Sequence, residues 1–137
     1  EEDLPTLLHF KNLKYLALEM GYQDDNFWKN FPKLEELFWI TGAETIDFSM
    51  FSCLRNLKFL TVSGGDYSNV AFEKLEALIP LEQLEFLQLH EFGPVDLAPL
   101  GNMKQLKTLL VRYSDEVKNI EIAITHQDIV EDLFING

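Results

Sequence analysis

The sequence predicts an α/β solenoid, a right-handed coil with a concave parallel sheet of five or six strands and a convex wall of mixed helical and irregular segments. Three observations carry this expectation. One apolar framework returns five times; its last two apolar positions alternate as on a strand; and the stretches between copies are long enough to cross back and return parallel.

The copies read Leu13, Leu16, Leu18; Leu34, Leu37, Trp39; Leu57, Leu60, Val62; Leu84, Leu87, Leu89; and Leu106, Leu109, Val111. Their first leucines lie 21, 23, 27 and 22 residues apart. Residues two apart on a strand face the same way, so the second and third positions point into the coil together while the first closes the preceding turn. A single coil buries only one edge of its apolar face, so stability comes from stacking neighbours into a continuous core. This period and framework resemble the leucine-rich repeats. Two convex segments, Ile46-Asp47-Phe48-Ser49-Met50-Phe51 and Val95-Asp96-Leu97-Ala98-Pro99-Leu100, are similar to the Ile-Asp-x-x-Pro-Leu-like stretch that follows the strand in short, bacterial-type members. The resemblance runs from Leu4 to about Val111 and implies the fold, not the ligand. It departs at the ninth repeat position, where Gly21, Gly42, Gly65, Phe92 and Ser114 replace the family's usual Asn or Cys. A side-chain ladder is therefore not expected there, although glycine suits the tight corner.

Taken in order, residues 1–12 read as a partial N-terminal repeat or cap, 13–119 as five repeats, and 120–137 as a final strand and helical C-terminal cap, together one domain over 1–137. Strands are expected at Tyr15 to Glu19, Glu36 to Ile40, Phe59 to Ser63, Phe86 to His90 and Thr108 to Arg112. A short convex helix is expected from Asp24 to Phe31, and a longer one over Val70 to Ile79, capped by Ser68 or Asn69 and ending before Pro80. Ile120 to Ile124 suggests a sixth strand, with a helix opening at Thr125 and running through Phe134.

Acidic residues outnumber basic ones by 23 to 11, a formal charge of −12, which repels phosphate backbones and anionic membranes. Nucleic acid is not an expected partner, and no apolar run approaches the about 20 residues that span a bilayer, so membrane insertion is not expected. No signal peptide is legible, which is compatible with a cytoplasmic protein and with one secreted after processing. The single cysteine, Cys53, excludes an internal disulfide and reads as a small core filler.

No phosphate-binding loop, zinc-protease pair, nucleophile elbow or paired Cys-x-x-Cys occurs. His9, His90 and His126 fall in different coils or the C-terminal cap, Gly64-Gly65-Asp66 reads as a turn, and Asp24-Asp25 and Glu35-Glu36 read as solvated surface. Asp47 and Asp96, at equivalent positions, read as structural. No cofactor, metal or catalytic residue is assigned; an enzyme would need His90, Glu91 and Asp66 to converge around a deep pocket.

Alternation instead singles out the outward positions of the strands. They form three columns: Tyr15, Glu36, Phe59, Phe86, Thr108; Ala17, Phe38, Thr61, Gln88, Leu110; and Glu19, Ile40, Ser63, His90, Arg112. Large apolar residues where water is expected are the informative exception. Tyr15, Phe38, Phe59 and Phe86 form an apolar stripe flanked by Glu36, Thr61, Gln88, His90 and Arg112, the anatomy of an interface centre with a polar rim. Tyr22, Asp66, Tyr113 and Asp115 extend it. The expected function is binding of another protein or extended peptide across the concave sheet; a carbohydrate-binding surface is the alternative. The incompletely capped N-terminal edge is a candidate for end-to-end association.

Overall fold

The computed structural model describes residues 4–19, 21, 24–65, 69–114, 116–125 and 132–135. In chain order the elements are α1 (Leu4–Leu7), β1 (Tyr15–Glu19), α2 (Asp25–Trp28), β2 (Glu36–Ile40), β3 (Thr45–Asp47), β4 (Phe59–Ser63), β5 (Ala71–Glu73), β6 (Phe86–Phe92), β7 (Val95–Asp96), β8 (Thr108–Ser114), β9 (Val117–Lys118), α3 (Ile120–Thr125) and β10 (Asp132–Ile135). Single 3₁₀ turns at Phe48–Phe51, Leu75–Leu78 and Ala98–Asn102 complete the convex wall.

Every pairing in the main sheet is parallel, in the order β1-β2-β4-β6-β8-β10. The chain is thus a leucine-rich-repeat solenoid. Register follows the framework: Leu16, Leu37, Leu60, Leu87 and Leu109 are successive partners, as are Leu18, Trp39, Val62, Leu89 and Val111. From Leu34 onward the framework residues are essentially inaccessible. An aromatic chain fills the space between sheet and convex wall, running through Trp28, Trp39, Phe51, Phe48, Phe72 and Phe92 with centroids 4.5 to 5.9 Å apart. Most of these pairs meet edge to face, the arrangement ring quadrupoles favour.

The turns that enter the strands are stitched by backbone and by charge. From Lys14 to Glu85 each second repeat position offers its carbonyl to two N–H groups of the next coil; Lys14 O, for example, accepts from Glu35 and Glu36. The side chains there alternate as Lys14, Glu35, Lys58, Glu85, Lys107. Glu35 bridges Lys14 at 3.2 Å and Lys58 at 3.4 Å, and Glu85 meets Lys107 at 3.5 Å. Hydrogen bonds from the two lysines hold the Glu35 carboxyl below its ordinary pKa.

The convex wall carries a second seam, in which β3 pairs with β5 and β7 with β9. Asp47 caps the following turn by accepting from the Ser49 N–H at 2.9 Å, and Asp96 caps its own by accepting from Ala98 at 2.9 Å. Each also accepts from a left-handed residue of the next coil, Asp47 from Lys74 (φ 57°) and Asp96 from Asn119 (φ 60°) at 2.8 Å. Burial pushes the Asp47 carboxyl up, but Lys74 and Ser49 outweigh it and leave the pKa lowered; for Asp96 the Asn119 amide is the main cause of a lowered value. The structural reading of these two aspartates agrees with this geometry.

Three expectations are corrected. The convex helix over 70–79 does not form: Ala71–Glu73 is extended and Leu75–Leu78 is a 3₁₀ turn. Strand pairing to β3, with the Ala71 N–H on Glu44 O at 2.9 Å, and the stacking of Phe72 on Phe92 override helical propensity, and left-handed Lys74 separates the two segments. At the C-terminus the order is reversed, with helix at Ile120–Thr125 and the sixth strand at Asp132–Ile135. Asn119 turns the chain into α3, which packs on the third 3₁₀ turn so closely that a Cβ on Gly101 would lie 2.7 Å from Ile122 O. The proposed opening of the C-terminal helix at 126–128 lies outside the described residues. At the ninth repeat position Gly65 is left-handed (φ 64°), and one ladder rung does exist: Ser114 Oγ donates to Gly93 O of the preceding coil at 3.1 Å. The helix expected at 24–31 is present as α2, shorter, with Asp24 accepting from the Phe27 N–H at 3.1 Å and Phe27, Trp28 and Phe31 buried. Among the described residues no helix is long and apolar enough to cross a membrane.

Candidate functional site

The concave columns are those read from alternation, since Tyr15 pairs with Glu36, Glu36 with Phe59, Phe59 with Phe86 and Phe86 with Thr108. Neighbouring strands lie about 4.8 Å apart, so side chains in a column are in reach of one another. Tyr15 is 58% exposed, Phe38 40% and Phe59 41%. Phe86 is half-buried, its ring tilted against Phe59 at 5.9 Å. Tyr15, Glu36, Phe38, Phe59, Thr61 and Phe86 line one shallow depression of 210 Å³, with Leu37 at its floor. Leu37 was not singled out, because its alternation marks it as core; it is buried and yet borders the depression.

Gln88, His90 and Arg112 lie beside this depression rather than in it. Gln88 follows Thr61 in register, and His90 lies between Ser63 and Arg112; all three are half-buried. Ser63, expected to face water, is instead buried. Its hydroxyl donates to Glu91 Oε2 at 3.1 Å and accepts from the Gly65 N–H at 3.1 Å, so local bonds take it out of solvent. His90 Nδ1 lies 3.5 Å from Ser63 Oγ and 3.4 Å from Glu91 Oε2, and its ring meets Tyr113 edge-on at 5.0 Å.

A serine, a histidine and a glutamate in contact invite comparison with a catalytic triad. The connections differ from one: the hydroxyl proton goes to the carboxylate, and hydroxyl and carboxylate approach the same imidazole nitrogen, whereas a triad uses opposite ring nitrogens. The cluster is a polar corner where the strands end. Glu91 (φ 54°) and Tyr113 (φ 55°) are both left-handed, which shifts strand parity by one and buries Phe92 and Ser114 beyond them. Tyr113 remains 60% exposed at the margin of the face. Tyr22, Asp66 and Asp115 lie outside the described residues. Among the described residues no group of three or more His, Cys, Asp or Glu could hold a metal ion.

A parallel sheet built on a repeated leucine framework is the leucine-rich-repeat fold, and here it carries an open aromatic face and a hydrogen-bonded polar corner. Two solved structures show the same architecture. Internalin C2 from Listeria monocytogenes superposes with a TM-score of 0.59 at 20% identity, covering 93% of this chain; an internalin, InlF, from the same organism gives 0.56 at 14% identity, covering 95%. The chain spans 63% and 45% of their respective lengths. No family model and no curated protein matches the chain.

Proposed function

We propose that this domain is a non-catalytic module that binds a protein or extended peptide across its concave sheet. The supporting observation is the aromatic depression: three rings at least 40% exposed sit on one face of a sheet whose opposite face is buried from Leu37 through Val111. Burying apolar surface of this kind releases about 25 cal/mol per Å², and a polar rim of Gln88, His90 and Arg112 gives register to a partner. The charge of −12 favours partners with basic surface and disfavours nucleic acid and anionic lipid.

The test is affinity capture of partners from the native organism, followed by binding measurements with a Phe38→Ser/Phe59→Ser double variant. Both rings alternate with core residues, so the variant is expected to keep the wild-type urea midpoint and to bind more than tenfold more weakly, a loss of about 1.4 kcal/mol. Normal binding by a folded double variant would overturn the proposal. The exposed Tyr15 ring beside Glu36 also suits sugar stacking, and glycan-array binding abolished by Tyr15→Ala would establish that second reading in its place.

A further inference from the structure

The depression is not uniformly apolar. Among the described residues Glu36 is its one charged side chain, and the register places Tyr15 on one side of it and Phe59 on the other, with Phe38 two residues along the strand. The lysines next to it in register, Lys14 and Lys58, are both engaged by Glu35, at 3.2 and 3.4 Å, and Lys33, the closest in sequence, donates to Asn12 Oδ1 at 2.7 Å. Among the described residues, neither a cation nor a hydrogen-bond donor meets the Glu36 side chain.

A carboxylate flanked by aromatic rings gains nothing from them on its own, because aromatic faces carry negative potential and the rings compete with its hydration. A cation reverses both effects. Its charge meets the carboxylate, and the rings that crowded the anion now attract it. Arginine fits better than lysine: its planar guanidinium stacks on rings and forks onto a carboxylate in one pose, while its methylene stem covers apolar surface.

Resting on the concave-face reading above, we propose that Glu36, flanked by Tyr15 and Phe59, is a subsite for one arginine side chain of the partner. The occupant is an extended segment carrying that arginine between apolar residues, which settle on Phe38 and Phe86. The domain's strongly negative charge favours such a segment at long range.

The probe is acetyl-Leu-Arg-Leu-amide, compared with the same peptide carrying citrulline, the neutral isostere of arginine, by chemical-shift titration of the ¹⁵N-labelled domain. The arginine peptide is expected to shift the amides of Glu36, Phe38 and Phe59 and to bind about fivefold more tightly than the citrulline peptide. That preference should disappear in Glu36→Gln, persist in Glu82→Gln on an exposed turn, and shrink as salt rises. Equal affinity of the two peptides at those amides, or a preference that survives Glu36→Gln, would overturn the subsite and leave the binding face standing. Shifts at those amides from neither peptide, while partner capture still depends on Phe38 and Phe59, would also overturn it alone.

Discussion

The first coil and the four that follow it share one framework in one register, yet they do not bury it equally. Leu34, Leu57, Leu84 and Leu106 are fully buried, as are Trp39, Val62, Leu89 and Val111, whereas their counterparts Leu13 and Leu18 are only half-buried. Residue type and strand pairing are nearly constant across this comparison. What changes is the neighbour: interior coils are flanked by a full coil on each side, whereas among the described residues the first coil is preceded only by the short α1 segment, whose Leu7 and Leu8 pack partly buried against the core. Burial here belongs to the stack rather than to the repeat, as expected where stability sums over nearest-neighbour contacts.

This contrast can be broken experimentally, most severely in the interior. Leu60→Ala or Leu87→Ala should lower stability in urea melts by about 2 to 5 kcal/mol, the cost of a cavity between two covering coils. Gly101→Ala should cost about 1 to 3 kcal/mol by forcing α3 off its neighbouring turn, since the added methyl meets Ile122 backbone. Leu18→Ala, half-buried in the first coil, should cost only about 1 kcal/mol. A Leu18→Ala loss equal to that of Leu60→Ala would mean that the first coil is covered in solution, and sedimentation equilibrium would then show the end-to-end association proposed for the N-terminal edge.

The smallest effect is expected at the convex seam and appears as a pH dependence. Asp96 has a lowered pKa in the folded chain, so its contribution is present above its unfolded value, about pH 4, and is lost as pH falls through the lower folded value. Asp96→Asn should therefore melt earlier than wild type at pH 7, and the gap should close on acidification toward pH 3. A gap that stays constant would remove the carboxylate–Asn119 link from the account.

The strands were legible because the framework repeats. Three of the five expected ranges coincide with β1, β2 and β4, and the other two extend by two residues past the left-handed Glu91 and Tyr113, a parity change that no alternation rule displays. The aromatic columns were legible for the same reason. Ser63 was not, because its burial depends on a carboxylate in the next coil, 28 residues on. At the C-terminus, Ile120, Ile122 and Ile124 alternate like a strand, whereas the sixth strand comes later and sets Leu133 beside Leu109 and Ile135 beside Val111. The helix expected over 70–79 failed because its apolar spacing also suits an extended segment followed by a 3₁₀ turn, and only pairing with β3 decides between them.

The alternating column of Lys14, Glu35, Lys58, Glu85 and Lys107 continues in the sequence just before the sixth strand as Glu131. A lengthening or shortening of this array by one coil would set two like charges side by side at the splice, whereas a change by two would preserve the alternation. The convex seam has the same spacing, β3 joined to β5 and β7 to β9. Although each coil repeats the leucines, the unit that can be copied without electrostatic conflict is a pair of coils, and chimeras or duplications of this domain should be cut at even numbers.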